Sequence, residues 1–134
     1  MKKNILAIIF ILLLTTACSS SHLKNLKLDE LNKKLDNQES FILFLTDEKD
    51  ESKTLKNTLE KVSRENNITS FYLNTETLED KDLESLKDIF TYQTTNFILF
   101  VKDGDEKTVL SRVEDLYIRD EKLEEVIKNQ GFIK

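Results

Sequence analysis

Cysteine is almost missing from this chain: there is one in 134 residues, Cys18. No disulfide can form within the molecule, so its stability rests on apolar burial and not on cross-links. Histidine is equally scarce. The one imidazole, His22, lies four residues after Cys18, within a segment, 18–27, that reads as a tether. Ser–His or Cys–His catalysis needs an imidazole held in a packed shell, so His22 reads as a solvated linker residue. The same scarcities exclude a structural zinc site, which needs a closed set of Cys, His or carboxylate ligands. Proline and tryptophan are absent, and Gly104 and Gly131 stand far apart. A Gly-rich loop cradling phosphate is therefore missing. Basic residues are outnumbered, 20 to 25, for a net charge of −5. A chain of that sign has no electrostatic reason to bind nucleic acid. Nor is there an apolar run long enough to cross a bilayer. Ile5 to Ala17 falls short of the about 20 residues a spanning helix needs.

That short run does have another use. Lys2 and Lys3 precede it, and Ala17 stands directly before Cys18. A basic start, a short apolar core and a small residue at the cut describe a secretory signal peptide. Leu14-Thr15-Thr16-Ala17-Cys18 resembles the lipobox of bacterial lipoproteins, with Thr15 where Leu is usual. The resemblance implies cleavage before Cys18 and acylation of its thiol. Stable anchoring takes more than one acyl chain, and lipoproteins of this kind carry at least a diacylglyceryl group. The expectation is a signal peptide over 1–17, a lipidated N-terminus and tether over 18–27, and a domain over 28–134. Localisation follows: a cell membrane, lipid-anchored, facing outside the cytoplasm. Loss of residues 1–17 removes two lysines and no acids, so the net charge falls from −5 to −7. The body should then not lie flat on an anionic surface by itself, and the anchor does the holding. A composition rich in Lys, Asn, Ile and Leu fits a low-GC, Gram-positive source.

Periodicity organises the rest. Leu28, Leu31 and Leu35 predict a helix over 28–37. Phe41-Ile42-Leu43-Phe44-Leu45 predicts a strand buried on both faces. A charged loop, Thr46 to Asp50, leads into a helix over 51–66 marked by Leu55, Leu59 and Val62 and closed by Asn66-Asn67. Ser70 to Leu73 predicts a strand. Asp80 is the expected N-cap of a third helix, with Leu83, Leu86, Ile89 and Phe90 on its apolar face. Phe97 to Val101 predicts a second doubly buried strand. Lys102-Asp103-Gly104-Asp105 predicts a hairpin turn leading to Thr108–Val113. Asp120 caps a last helix that stops at Gly131, and Phe132 packs the tail down. A weak strand near Leu23–Leu26 is an option. Alternating strands and helices, with two strands covered on each side, give an α/β fold: a mixed central sheet with helices on both faces.

This order, ending strand–turn–strand–helix, resembles the thioredoxin fold over 28–134. Thr95-Asn96-Phe97-Ile98-Leu99-Phe100-Val101-Lys102-Asp103-Gly104 is similar to the thioredoxin segment in which a cis-proline precedes a strand ending in Lys-Asp-Gly. Phe41–Leu45, a loop and a long helix match the part where family members carry Cys-x-x-Cys. Small exported thioredoxin-like proteins of Gram-positive bacteria, including bacteriocin-transport accessory proteins, are similar in length and layout. Two departures bear on function. Lys49-Asp50-Glu51-Ser52-Lys53 stands where the cysteine pair belongs, and Asn96 stands at the proline. Non-proline cis bonds cost about 2.5–4 kcal/mol, so Asn96 is expected trans. Thiol–disulfide exchange requires sulfur.

The acidic stretches, Asp47-Glu48-Lys49-Asp50-Glu51 and Glu76, Glu79, Asp80, Asp82, are interleaved with lysine. Without the loop glycine of a calcium-binding EF-hand they read as solvated charge. No cofactor, metal or catalytic residue is assigned, and the chain does not read as an enzyme. The expectation is a redox-inactive thioredoxin-like lipoprotein that binds a protein or peptide. Its candidate binding edge is Asp47, Lys49, Asp50, Ser52, Tyr92 and Asn96. A rival from another class is a surface immunity or adhesion lipoprotein using the fold as scaffold.

Overall fold

The computed structural model describes residues 21–90, 97–111 and 120–134. Cys18, Tyr92 and Asn96 lie outside them. Five strands form one mixed sheet in the order β1-β3-β2-β4-β5. They are β1 (Leu23–Asn25), β2 (Phe41–Thr46), β3 (Ser70–Asn74), β4 (Phe97–Lys102) and β5 (Asp105–Ser111). The helices are α1 (Leu28–Asp36), α2 (Asp50–Glu65), α3 (Asp80–Ile89) and α4 (Asp120–Asn129), with a 3-10 turn over Thr75–Thr77. β1, β3 and β2 run parallel; β4 is antiparallel to β2 and β5 to β4.

The two doubly buried strands are found where the apolar runs predict them. Every residue of β2 is buried, as are the first five of β4. Alternate side chains enter two cores. Phe41, Leu43, Leu45, Leu99 and Val101 face one, with Leu31 of α1 and Leu86 of α3. Ile42, Phe44, Ile98 and Phe100 face the other, with Leu55, Leu59 and Val62 of α2 and Leu123 and Ile127 of α4. A sheet covered on both sides leaves its strands no polar face, which is why both runs are continuously apolar.

Local chemistry sets the ends. Asp103 and Gly104 both have positive φ, 53° and 80°, and Lys102 pairs with Asp105 across them. This is the two-residue type I′ hairpin that Asp-Gly favours. The tip is tied down, as Gly104 N donates to Glu39 O at 3.0 Å and Asp103 N to Ser40 Oγ at 3.0 Å. α1, α2 and α4 end alike. Gln38, Asn67 and Gly131 follow them in the left-handed region. Their N–H groups donate to Leu35, Arg64 and Lys128 carbonyls, and the next residues donate to Lys34, Ser63 and Ile127. That pair of bonds is the Schellman motif. Phe132 then folds onto Phe100, ring centroids 5.9 Å apart, as the tail reading expects.

Several expectations are corrected. The weak strand near Leu23–Leu26 is present as β1 over residues 23–25, so this part of the segment read as a tether belongs to the sheet, and Leu23 and Leu26 are buried. His22 is not a free linker residue. Its Nδ1 donates to Ile68 O at 3.0 Å and its carbonyl accepts from Ser70 N at 2.8 Å. Three residues are too short to register as periodicity; pairing with β3 makes them a strand. Ile89 is 40% exposed, since it ends α3 and Phe90 takes the core position instead. Asp80 is the first residue of α3, where it meets the positive dipole end, and Glu79 is the N-cap; Asp120 stands in the first turn of α4. β5 starts at Asp105, three residues before Thr108, because the tight turn lets pairing resume at once.

Candidate functional site

The parallel strands deliver their carboxyl ends to one edge of the molecule. Thr46 ends β2 opposite Asn74, which ends β3. The chain leaving β2 goes to α2 on one face, and the chain leaving β3 goes through the 3-10 turn to α3 on the other. Diverging connections open a crevice at such a switch point, the usual ligand position in open α/β sheets. β4 starts beside it, since Phe97 pairs with Leu45.

Hydroxyls close the floor of this crevice. Thr46 is 0% exposed and Ser52, in the first turn of α2, is 1% exposed. Thr46 Oγ1 donates to Ser52 Oγ at 3.0 Å and accepts from Glu48 N at 3.0 Å. Ser52 Oγ donates to Lys49 O at 2.7 Å. Thr75 Oγ1 donates to Thr46 O at 3.2 Å, bridging the two strand ends. Each buried hydroxyl is satisfied, as low-dielectric surroundings require. Ser52 is thus a structural tie and not an exposed contact residue, which corrects its place on the predicted binding edge. Its proton is already committed to Lys49 O, and among the described residues His22 lies at the opposite end of β1.

Charges rim the floor. Asp47 Oδ1 accepts from Lys49 N at 3.1 Å. The Lys49 ammonium stands 3.8 Å from both Asp47 and Glu76. Glu48 holds a positive φ of 58°, unusual for a residue with a side chain, and Lys56 binds its carboxylate at 2.7 Å. The same ammonium lies 3.8 Å from the centre of the Tyr72 ring. Asp50 and Lys53 pair at 2.8 Å on the exposed side of the first turn of α2. The hydrogen bond from Lys53, reinforced by its charge, holds the Asp50 carboxyl below its ordinary pKa, and Asp50 raises that of Lys53 in return.

Beside the rim lies a groove of about 280 Å³. Leu26, Tyr72, Leu73 and Leu78 supply its apolar wall, and Glu48 and Asn74 its polar edge. Asp47, Lys49 and Asp50 therefore gather at one end of the sheet, in the loop after β2 and the first turn of α2. Tyr92 and Asn96 belong to the segment 91–96, outside the described residues. Thr75, Tyr72, Asn74, Glu76 and Leu78 were not foreseen in the site. They come from the end of β3, and only the parallel pairing of β2 with β3 brings them to the loop after β2. Among the described residues, no group of three or more His, Cys, Asp and Glu side chains could hold a metal ion.

No protein-family model matches the chain, and no curated protein matches it in sequence. Solved structures do. Oxidised thioredoxin O2 from Arabidopsis thaliana superposes with a TM-score of 0.60 at 15% identity, covering 81% of this chain and 94% of that one. Oxidised thioredoxin O1 from the same plant gives 0.58 at 12% identity, over 82% and 97%. Thioredoxin NaTrxh from Nicotiana alata gives 0.59 at 13%, over 84% and 95%. The fold is thioredoxin-like: an α/β mixed sheet with helices on both faces.

Proposed function

We propose that this protein is a membrane-anchored extracytoplasmic lipoprotein whose thioredoxin-like domain has no redox chemistry and acts by binding a protein or peptide. The observation that carries the reading is the replacement at the start of α2. Lys49 and Ser52 have the Cys-x-x-Cys spacing there, and the Ser52 hydroxyl is locked between Thr46 and the Lys49 carbonyl. Neither side chain can exchange electrons. What remains is a charged crevice rim beside an apolar-walled groove, a surface suited to contact. The basic start, short apolar run and Ala17-Cys18 support the anchor.

The test uses the full chain extracted from membranes. Insulin reduction by dithiothreitol should run at the rate of the protein-free control. Acceleration would overturn the redox-inactive reading. Lys49→Cys with Ser52→Cys restores sulfur to both positions and serves as the positive comparison. Cys18→Ser should move the protein from the membrane fraction to the soluble one; unchanged sedimentation would remove the lipid anchor from the proposal.

A further inference from the structure

We propose that the groove beside the crevice rim takes a basic peptide, seating one apolar side chain of an extended segment whose neighbours are lysine or arginine. The inference deepens the binding reading above and rests on it. Leu26, Leu28, Tyr72, Leu73 and Leu78 wall the groove, from the β1–α1 turn on one side and the end of β3 on the other. Leu28, Tyr72 and Leu78 are only half-buried, so apolar surface stays open to an incoming group. The space, about 280 Å³, falls below the about 300–1,000 Å³ of pockets that enclose a small molecule. It suits one side chain of a longer ligand.

Charge identifies the neighbours of that side chain. Segments 25–30, 47–49 and 76–82 line or border the groove. With Lys56, which binds Glu48, they carry eight acids and four lysines, whereas the rest of 18–134 carries 17 acids and 14 basic residues. The lysines are engaged locally: Lys56 with Glu48, Lys49 with Asp47 and Glu76, Lys81 with Glu79. Asp29 and Asp80 are exposed and stand in no ion pair among the described residues. α1 and α3 both begin beside the groove, and each helix start supplies about half a positive charge. Each of those first turns holds two acids, Asp29 and Glu30 in α1, Asp80 and Asp82 in α3. The surplus therefore stays negative after the dipoles are counted. Such a mouth attracts a cationic ligand and repels an acidic one.

Strand addition to the free edge of β1 is the competing way to hold a peptide beside the groove. His22 O and Leu26 N face β3, so Leu23 and Asn25 turn their main-chain groups outward. Ser21 Oγ already donates to Leu23 O at 2.9 Å and accepts from Leu23 N at 3.2 Å. That leaves Asn25, one residue of edge, too little to hold a strand. Recognition falls to the seated side chain and its charged neighbours.

The test measures fluorescence anisotropy of labelled peptides with the full chain in non-ionic detergent. Three probes share a Gly-Ser frame and differ at the centre: Lys-Leu-Lys, Glu-Leu-Glu and Lys-Ser-Lys. The first should bind about tenfold or more tightly than either other, because the second sets like charges against the acids and the third gives up the burial of a leucine. Thr77→Trp, at an exposed position on the groove wall, fills the space and should weaken Lys-Leu-Lys about tenfold. Asp29→Lys with Asp80→Lys leaves the groove open and should bring Glu-Leu-Glu level with Lys-Leu-Lys or ahead of it. Circular dichroism checks that both variants fold. Equal binding of the three probes, or binding of Lys-Leu-Lys that neither variant weakens, overturns the inference and leaves a binding function standing. A random heptapeptide library panned on the same protein separates the remaining failures. Hits without a basic–apolar–basic core overturn the inference alone; no hits at all overturn the binding reading with it.

Discussion

The hydroxyl pair under the crevice gives the sharpest quantitative expectation. Ser52→Ala leaves the buried Thr46 hydroxyl without the acceptor it uses, while Lys49 O keeps its bond from Ser52 N at 3.0 Å. Stranding one buried donor costs about 1–3 kcal/mol. Thr46→Val removes the same bond from the other side and also takes the acceptor of Glu48 N, a comparable loss of about 1–2 kcal/mol. The double variant strands no hydroxyl proton of the pair. Its cost should fall below the sum of the singles by about 1 kcal/mol, since contacting residues couple. Urea unfolding followed by circular dichroism measures all three. With m near about 1.5 kcal/mol/M, each single should lower the midpoint by about 1 M. Strict additivity, within about 0.3 kcal/mol, would refute the network as drawn.

Other outcomes follow from the same geometry. Gly104→Ala should destabilise by about 1–3 kcal/mol in thermal unfolding, because its φ is +80° and a Cβ would come within 2.8 Å of Leu35 O. Gln38→Gly should stabilise by about 0.5 kcal/mol, as glycine adopts the left-handed C′ position without steric cost and gives part of that back in chain entropy. Leu99→Ala, fully buried between β2 and β5, should cost about 2–5 kcal/mol by denaturant unfolding. The Asp50 carboxyl should titrate below the usual aspartate value in carbon-detected NMR, and Lys53→Met should return it upward. A depressed folded pKa adds stability above the unfolded pKa and loses it as pH falls through the folded value. The pair is on the surface, so molar salt should shrink the difference.

Much of the architecture was legible because it is written in local patterns. The runs at 41–45 and 97–101 could only be strands covered on both faces. Asp103-Gly104 could hardly be anything but a tight hairpin, and Gly131 a helix stop. Gln38 was invisible as a C′ residue, since nothing in glutamine favours the left-handed region. β1 showed only as a weak strand option, since three residues carry no period and its partner lies 47 positions away, Ser70 opposite Leu23 with α1, β2 and α2 between them in the chain. The charged loop after β2 marked the site from one side. Its other wall, Tyr72 to Leu78, has no local signature of function.

By itself the sequence determined most of the helix and strand segments and the absence of sulfur from the start of α2. These depend on residue type and spacing within a few positions. Tertiary structure alone decided that Ser52 turns inward to Thr46, that His22 is held by Ile68 and Ser70, and that the end of β3 forms the second wall of the crevice. Those facts depend on which strands pair and in which direction. Pairing brings together groups far apart in the chain, and no local pattern encodes it.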